Sequence, residues 1–415
     1  MKTPIHDFIG GYSVSDFERC HTPGHKGKHN KLDITEIHGA TDIVQESERI
    51  AAELFKAGRT LFSCSGSTLA IFAMLAFCAN RRVTAFRGTH RSFIDAAILL
   101  GFGVDWVYTD DCVSERINEQ TAAVFVTSVD YYGKIRDIKS IAKTCDVAGV
   151  PLLVDNAHGA YLVFTDSHPI QLGAAMSADS AHKTLPTLTG AAYLHIAEKH
   201  IELADSAVKA MNLFGTSSPS YLILDSLDLC NLHIAHEKEK AKAAFSNVTD
   251  LKKRLAQIGY RLFESDLLRI TIDTNAYGYS GDEYAVQLRN NGISCELYDS
   301  RRIILLFSTV TEKHNTERVY RAMYTIPQKK EPAPLKTHEE TEEKLVRLNV
   351  CISPRDAYFS DKLTVDTTES AGRICAGVYA VTPPCAPIIV PGEVIDKKTA
   401  TILKNNSFHK IDVIQ

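Results

Sequence analysis

The stretch AAVFVTSVDYYGKIRDIKSIAKTCDVAGVPLLVD, at residues 122–155, decides the fold class of this chain. Its two ends, AAVFVTS (122–128) and PLLVD (151–155), are short continuous apolar runs, which are typical of strands buried on both faces of a sheet. Between them, residues 137–148 carry apolar side chains at helical spacing. A buried strand, a helix and a second buried strand predict a βαβ unit with two parallel strands.

The same alternation of strands and helices extends to both sides of this unit. Further strands are predicted at 83–86, 104–108 and 191–196, and further helical stretches at 69–79, 91–101, 198–213 and 231–258. The predicted fold class is therefore α/β, with a large domain built on a mainly parallel sheet.

The rhythm changes after about residue 240. Strands at 267–273 and 302–308 flank a helix at 281–291, and IPQKKEPAPLK (326–336) is typical of a connector because it is rich in proline and lysine. The last unit is predicted to open with a charged helix at residue 337. We divide the chain into an N-terminal arm (1–45), a large α/β domain (46–240), a small α/β domain (241–330) and a C-terminal α+β domain (331–415).

The composition excludes several classes of protein. The 415 residues include 46 Lys+Arg and 50 Asp+Glu, a net charge of −4, whereas nucleic-acid binders usually show a basic excess. No apolar run reaches the roughly 18–20 residues of a membrane span, and the start MKTPIHDFIGGY lacks the apolar segment of a secretory signal. We therefore expect a soluble, cytoplasmic protein without nucleic-acid or membrane partners. The ten cysteines are scattered and form no CxxC pair, so buried free thiols are expected.

The sequence gives no prediction of a metal site. His21, His25 and His29 have a spacing that would converge on a metal only along a helix, and the intervening proline and glycines argue against a helix there. The GxGxxG, P-loop, HExxH and GxSxG motifs are absent from the sequence.

A first candidate for a functional element is the run Cys64-Ser65-Gly66-Ser67-Thr68, which stands just before the apolar helical stretch. Small residues with accessible backbone N–H groups and two hydroxyls at a helix N-terminus can hold an anion, most often a phosphate. Taken alone, an ordinary Ser/Thr N-cap explains this run better.

A second candidate is Asp155, which ends the predicted strand PLLVD and is followed by Asn156-Ala157-His158-Gly159. A carboxylate at the carboxyl end of a parallel strand points into the crevice where α/β proteins bind their ligands. An aspartate that caps the following loop is an equally good interpretation of this position.

Two basic residues complete the pattern. Lys183 lies in Ser180-Ala181-His182-Lys183-Thr184, among neighbours that favour desolvation, which lowers the pKa of a lysine and leaves an amine able to attack a carbonyl. His90, in Thr89-His90-Arg91-Ser92, offers an imidazole at the end of the predicted strand 83–86. Each also has an ordinary explanation, as a surface lysine and as a packed or capping histidine.

Together, the four features match the needs of one cofactor, pyridoxal phosphate. Its phosphate needs the anion cradle, its aldehyde needs a lysine for a Schiff base, and its ring nitrogen needs a carboxylate that keeps it protonated. A flat imidazole can stack on the ring. The combination is far more specific than any of its parts.

At this point the sequence resembles a known family. HTPGHKGKH (21–29), followed by DITE (33–36), is similar to the N-terminal signature of the prokaryotic ornithine/lysine/arginine decarboxylases, which are pyridoxal-phosphate enzymes of the aspartate-aminotransferase fold, fold type I. The resemblance continues through SGST (65–68), THRS (89–92), DNAHGA (155–160), SAHKTLP (180–186), TSSPSY (216–221), GISCELYD (292–299), SPRDAYF (353–359) and PPCAPIIVPGE (383–393). It covers nearly the whole chain.

The resemblance implies roles for individual residues. Lys183 is implied to form the Schiff base and Asp155 to pair with the ring nitrogen, while His90 stacks on one ring face and Ala157 packs on the other. The implied phosphate ligands and remaining cofactor-binding residues are Gly66, Ser67, Thr68, His158, Ser180 and His182. Because the active site of this fold lies at a dimer interface, Thr216 and Ser218 are implied to reach the cofactor of the second subunit.

The implied reaction is the decarboxylation of arginine, lysine or ornithine to an amine and carbon dioxide, with Lys183 or His182 returning a proton to Cα. The distal cation of the substrate needs an acidic partner, for which the candidates are Glu296, Asp299, Asp356 and Glu369. Long family members carry an extra N-terminal response-regulator-like domain, which this sequence lacks. We therefore expect a homodimer or a tetramer rather than a decamer.

Two departures from the family pattern bear on the substrate. Residues 381–387 read VTPPCAP where the family usually reads close to PYPPGIP, and Leu69-Ala70-Ile71 follow the cradle where Gly-Asn is common. Another reaction on the same scaffold, such as transamination or β-elimination, remains an alternative. So does a non-catalytic descendant that binds an amine or a partner.

Overall fold

A seven-stranded sheet forms the centre of the large domain. The structure is a computed structural model that describes residues 1–15, 18–34, 41–108, 112–329, 347–381 and 386–415. In chain order the strands are β1 (Arg59–Ser63), β2 (Arg82–Phe86), β3 (Gly103–Val107), β4 (Thr121–Thr127), β5 (Leu152–Asp155), β6 (Met176–Asp179) and β7 (Ala192–Ile196). Their order in the sheet is β1-β7-β6-β5-β4-β2-β3.

The sheet is mainly parallel, as the sequence predicts. The five adjacent strands β3, β2, β4, β5 and β6 are parallel to one another, whereas β7 runs antiparallel to both β6 and β1. Residues 191–196 are thus a strand as predicted, but one that joins the sheet in the opposite direction. The sequence did not predict β1 or β6.

The helices of the arm and the large domain flank this sheet. They are α1 (Pro4–Ser13), α2 (Thr41–Phe55), α3 (Gly66–Leu75), α4 (Arg91–Leu100), α5 (Ile138–Ala148), α6 (Ala181–Thr184), α7 (Ala204–Phe214) and α8 (Tyr221–His236). The next helix, α9 (Lys238–Gln257), leads from the large domain into the small domain. The prediction of one helix over 231–258 is wrong, because the backbone at Glu237 leaves the helical region with φ −107° and ψ 24°. The break lets α8 and α9 each turn its own apolar face toward the core.

Apolar side chains fill both faces of the sheet. Leu153 and Ala178 pack with Met74 of α3 on one face, while Val124 and Val154 pack with the α5 side on the other. All of these strand side chains are buried. Burying each valine or leucine stabilises the fold by about 1.5–3 kcal/mol, and burial on both faces explains the continuous apolar runs.

The small domain carries a four-stranded antiparallel sheet. Its strands are β8 (Leu262–Phe263), β9 (Arg269–Asp273), β10 (Leu297–Tyr298) and β11 (Arg302–Leu306), in the order β10-β11-β9-β8, with helices α10 (Gly281–Asn290) and α11 (Lys313–Thr325). The predicted strands and the helix at 281–291 are confirmed. Gly281 has to be glycine, because a Cβ there would lie 1.9 Å from the Asp299 carbonyl oxygen.

The C-terminal unit is a small α+β assembly. It consists of α12 (Pro354–Phe359), β12 (Lys362–Asp366), β13 (Tyr379–Val381), β14 (Ala386–Ile389), α13 (Lys397–Asn405) and β15 (Lys410–Ile414). Strands β12 and β15 pair antiparallel, as do β13 and β14. The predicted helix at 337, most of the connector and Thr382–Cys385 of the departing segment lie outside the described residues.

A buried ion pair joins the C-terminal unit to the large domain. The Arg87 guanidinium donates to both carboxylate oxygens of Glu393, at 2.8 and 3.1 Å, and to the Ile388 carbonyl oxygen at 3.1 Å. The side chains of Arg87 and Glu393 are 3% and 0% exposed. Arg87 also lies 4.6 Å from the ring centroid of Trp106. Arg87 is three residues before His90 in the sequence.

Two further sequence expectations concern side chains and spans. The nine cysteines among the described residues are free thiols as predicted, and Cys385 lies outside those residues. The prediction that they are buried holds for four of them, Cys78, Cys145, Cys230 and Cys375, and is wrong for the exposed Cys20, Cys112 and Cys351. Within the described part of the chain, no helix has both the length and the apolar character that crossing a membrane requires.

Candidate active site

The carboxyl ends of the parallel strands bring the predicted acid and lysine to one edge of the sheet. Asp155 is the last residue of β5, and Lys183 lies on α6, which begins directly after β6. These two strands are neighbours, with Asp155 opposite Ala178. Ligand crevices of α/β proteins lie at this edge, so the topology supports a site between the two loops.

The side chain of Lys183 contacts His158. Its Nζ lies 2.9 Å from Nε2 of His158, which is 5% exposed, while Lys183 is half-buried. Burial, followed by the charge of Lys183, holds the pKa of His158 well below its ordinary value. His158 is therefore neutral and accepts a hydrogen bond from the lysine. The His158 ring stands edge-on to the Tyr131 ring, with centroids 4.8 Å apart.

Asp155 is a buried acid with a raised pKa. Its side chain is 2% exposed, and its Oδ1 accepts a hydrogen bond from the Ala157 backbone N–H at 3.1 Å. Burial raises the pKa of Asp155, while the charges of His90 and Lys183 act in the opposite direction. Asp155 thus does cap its loop, and it is also a desolvated carboxyl that a cation would stabilise as the carboxylate.

His90 has the capping role that we considered as its ordinary explanation. It is the N-cap of α4, and its Nδ1 accepts a hydrogen bond from the Ser92 backbone N–H at 3.1 Å. Burial lowers the pKa of His90, and the nearby Asp155 charge opposes this effect. In the neutral ring the proton is therefore on Nε2, and cap and charge together fix one orientation of the imidazole.

The start of α3 fits an anion better than an ordinary side-chain cap. Ser65 is the N-cap, but its side chain makes no capping hydrogen bond, so the N-cap explanation of this run is wrong for Ser65. Gly66 has a φ of +69°, and a Cβ on it would meet no atom within 4 Å, so there is open space in front of the helix. The Gly66 N–H already donates to the Gly190 carbonyl oxygen at 2.8 Å, but the N–H groups that follow it in the first turn have no partner within the helix and can face an anion.

A hydroxyl pair connects this helix start to the lysine loop. Ser180 is the residue before α6, and its Oγ donates a hydrogen bond to Ser67 Oγ at 2.7 Å. Ser180 is buried, Ser67 is half-buried and Thr68 is exposed. The structure thus brings Ser67 and Ser180 together, as expected for two ligands of one phosphate.

Other predicted residues have more distant or unrelated contacts. His182 is half-buried, and its Nδ1 lies 3.0 Å from the Ala191 carbonyl oxygen on the side of β7. Ala157 is buried within the loop after Asp155. Thr216 and Ser218 are exposed, and Thr216 Oγ1 accepts a hydrogen bond from the Ser218 backbone N–H at 3.1 Å. The structure connects neither of them to Lys183 within this chain, so their role toward a second subunit stays a prediction.

The structure separates the four candidate partners of a distal cation. Tyr131 Oη donates to Glu296 Oε1 at 3.2 Å, and the Tyr131 ring contacts His158. Asp299 instead accepts hydrogen bonds from Arg302, and Asp356 is engaged with Ser353 at the start of α12. Glu369 is exposed. Glu296 is thus the candidate that the described contacts link to the site.

Sequence reasoning missed Tyr131. It stands four residues after the end of β4, in the loop at the same edge of the sheet as Asp155. This strand-end position is the signal that could have found it.

The assembled residues fit pyridoxal phosphate. Two hydroxyls and a helix N-terminus face the space that a phosphate needs, and an amine, a buried carboxyl and an oriented imidazole lie at the same edge. The buried Nδ1 of His158 has no hydrogen-bond partner, so one polar atom of the site is available for a ligand or a water.

Comparisons with known proteins agree with this chemistry. Residues 27–274 match the family model described as Orn/Lys/Arg decarboxylase, major domain. An arginine decarboxylase of Bacillus subtilis is 27% identical over 460 aligned positions, which cover 98% of this chain and 94% of that protein. An arginine decarboxylase of Halalkalibacterium halodurans is 26% identical, with coverages of 98% and 94%.

Solved structures show the same fold. A lysine decarboxylase of Francisella novicida superposes with a TM-score of 0.81 at 16% identity, covering 100% of this chain and 81% of that chain. An alanine–glyoxylate aminotransferase of a Nostoc species superposes with a TM-score of 0.59 at 15% identity, covering 77% and 91%. These likenesses confirm the predicted fold class, a fold-type-I α/β architecture.

Proposed function

Because the chain belongs to the Orn/Lys/Arg decarboxylase family, and is thus an amino-acid decarboxylase, we propose that it removes the α-carboxyl group of arginine with pyridoxal 5'-phosphate as its cofactor. The observation that carries the proposal is the pairing of Lys183 with neutral His158 beside the buried acid Asp155. Arginine is favoured over lysine and ornithine because the curated relatives cited above are arginine decarboxylases.

When bound, pyridoxal phosphate supplies an aldehyde that reacts with amino groups and a conjugated ring that accepts the electron pair left by carbon dioxide. Lys183 is placed to carry the cofactor between turnovers. Its hydrogen bond to His158 gives the amine a neutral acceptor, so that a proton can be held between Nζ and Nε2.

Asp155 supplies the charge that a protonated ring nitrogen needs. Buried carboxylates are costly unless paired, so an unpaired Asp155 favours its protonated form. Asp155 would therefore pair as a carboxylate with the protonated ring nitrogen of the bound cofactor, and this charge pair would be in place before reaction begins. His90, held by its cap on α4, would lie against the face of the ring.

The proton that replaces the lost carboxyl group requires a donor near Cα. We propose Lys183 rather than His182 as this donor, because its Nζ contacts His158 in the loop that follows Asp155. His182 directs Nδ1 toward the Ala191 carbonyl oxygen, so only Nε2 is available to it.

We propose Glu296 as the acidic partner of the distal guanidinium. Its carboxylate accepts a hydrogen bond from Tyr131 on one oxygen, and a carboxylate can bind a guanidinium with two parallel hydrogen bonds. The contact with Tyr131 supports this proposal, because it connects the exposed Glu296 of the small domain to a loop at the edge of the large sheet.

We also propose that the active unit is a cytoplasmic homodimer, or a tetramer built from two such dimers. The exposed hydroxyls of Thr216 and Ser218 lie in the loop after α7, close to α3, since a Cβ on Gly215 would stand 3.3 Å from Leu69 Cδ2. Light scattering measures the assembly. Mixing an inactive Lys183→Ala chain with a Thr216→Ala/Ser218→Ala chain should restore activity if these residues serve the partner's site.

Measuring carbon dioxide release from arginine, lysine and ornithine tests the reaction. We expect release from arginine to be fastest, loss of release in Lys183→Ala, and unchanged release in Lys199→Ala, a matched change of an exposed lysine. Formation of a keto acid without carbon dioxide would refute decarboxylation and favour transamination or elimination. Cofactor binding without any product would favour the non-catalytic alternative.

A further inference from the structure

A fully buried acid stands directly before the lysine loop. Asp179, the last residue of β6, is 0% exposed and accepts three side-chain hydrogen bonds. Ser177 Oγ donates to its Oδ1 at 2.6 Å, while Asn156 Nδ2 and His168 Nε2 donate to its Oδ2 at 2.8 and 3.0 Å. The proposed reaction uses none of these residues, so the cluster requires its own explanation.

One of these hydrogen bonds joins the two loops of the site. Asn156 follows Asp155 directly, and Asp179 is four residues before Lys183. The Asn156 backbone is also fixed, because its N–H donates to the Ala178 carbonyl oxygen at 3.0 Å and its carbonyl oxygen accepts from the Gly159 N–H at 2.7 Å. The bond between Asn156 and Asp179 is thus a direct cross-link between the carboxylate loop and the lysine loop.

The loop leaves room for this one placement of Asn156. A Cβ on Gly159 would lie 1.9 Å from Asn156 Oδ1, so a larger residue at 159 would push the amide away from Asp179. Glycine at this position is therefore required by the cross-link.

The protonation states of the cluster fit hydrogen bonding. Burial raises the pKa of Asp179, but the His168 ring and its hydrogen bond outweigh this effect and hold the pKa below its ordinary value. Nδ1 of His168 accepts from the Ile170 backbone N–H at 3.4 Å, which leaves the proton on Nε2, facing Asp179. Burial lowers the pKa of the neighbouring His195 to about 3, so that ring is neutral.

We infer that Asp179 and Asn156 are positioning residues that hold Asp155 at a fixed separation from Lys183, so that acid and lysine meet the same cofactor. The inference rests on the proposed function for the identity of the cofactor, whereas the cross-link itself is a property of the protein.

His168, Asp179 and His195 would also suit a metal, since their ligand atoms lie within 4.8 Å of one another. The hydrogen bonds that already occupy both Asp179 oxygens favour the cross-link.

Three variants separate position from charge. Asn156→Ala removes the cross-link and keeps the Asp179 charge. Asp179→Asn removes the charge, yet an amide with its oxygen toward Asn156 and its NH2 toward Ser177 keeps all three hydrogen bonds. Thr60→Val is the matched control, because it removes a buried hydrogen bond of 2.8 Å to His195 in the same sheet without touching either loop.

Hydrogen exchange of the cofactor-free protein is the first measurement. We expect Asn156→Ala to lower the protection of the amides of residues 157–159 and 181–185 by about tenfold or more, whereas Asp179→Asn and Thr60→Val retain it. If Asn156→Ala does not fold, Gly159→Ala tests the same cross-link by displacing the Asn156 side chain. Unchanged protection in the folded variant would overturn the inference, whatever the protein catalyses.

Steady-state kinetics of the holoenzyme are the second measurement. Misplacing reacting groups lowers turnover more than binding, so we expect kcat of Asn156→Ala to fall about tenfold to a hundredfold with KM nearly unchanged. Asp179→Asn should retain most of kcat. A loss of kcat in Asp179→Asn with unchanged kcat in Asn156→Ala would show that the charge of Asp179 matters rather than the position of the loops, and would overturn the inference. A stoichiometric bound metal, measured by elemental analysis, would also overturn it.

Discussion

Replacing Glu393 with glutamine should loosen the C-terminal unit from the large domain. The change removes the negative charge that faces the Arg87 guanidinium, which is 3% exposed, while it keeps the shape of the side chain. Arg87 would retain the carbonyl oxygen of Ile388, at 3.1 Å, as its remaining acceptor besides the new amide.

The magnitude follows from the burial of the pair. Breaking a buried ion pair by removing one partner costs about 3–5 kcal/mol, because the other charge stays desolvated. Replacing both partners, as in Arg87→Met/Glu393→Leu, leaves no unpaired charge and should recover most of this loss. The order of stability is therefore wild type, double variant and single variant.

The single tryptophan of the chain provides the assay. Trp106 lies 4.6 Å from the Arg87 guanidinium, so its fluorescence during urea unfolding reports on this junction. We expect a lower urea midpoint and altered emission for Glu393→Gln. Lys199→Ala, which breaks an exposed pair with Asp146, should leave both unchanged. A midpoint for Glu393→Gln no lower than that of Lys199→Ala would refute the reasoning.

Three more predictions concern the site and its pH dependence. Asp155→Asn should lower kcat by about a hundredfold or more with the fold intact, because the ring nitrogen loses its charged partner; near-normal turnover would contradict this role. Glu296→Gln should raise KM for arginine by about tenfold, because a charged hydrogen bond is lost, whereas Tyr131→Phe should have a smaller effect, and an unchanged KM would place the distal cation elsewhere. Burial raises the pKa of Glu48 from 4.5 to about 7, so the folded state holds its proton more tightly than the unfolded state does. The free energy of unfolding should therefore fall as pH rises from about 4.5 to 7, by less than the full pKa shift implies because part of the Glu48 side chain remains exposed. In Glu48→Gln the urea midpoint should depend less on pH over this range.

The central strands and the acid, lysine and imidazole of the site could be predicted from the sequence. Strands buried on both faces must be continuously apolar, and the residues that follow them must reach the ligand edge, so Asp155, Lys183 and His90 were found from local pattern alone. The same kind of local pattern indicates the anion cradle at the start of α3, although taken alone it fits a Ser/Thr cap better.

Contacts between distant segments required the tertiary structure. Arg87 and Glu393 are 306 residues apart, and Tyr131 and Glu296 are 165 apart. No periodicity or motif connects such positions, because pairing depends on how the domains pack and not on local propensity. The antiparallel direction of β7 and the helix break at Glu237 have the same origin.

The sequence by itself determined the α/β sheet, the order of its functional loops and the chemistry that those loops carry. The tertiary structure decided that Glu296, of four candidate carboxylates, meets Tyr131, that His158 contacts Lys183, and that a hydrogen bond joins Asn156 to Asp179. The physical reason is that apolar pattern and strand-end position are local properties, whereas burial, pKa and side-chain pairing depend on the groups that folding brings near.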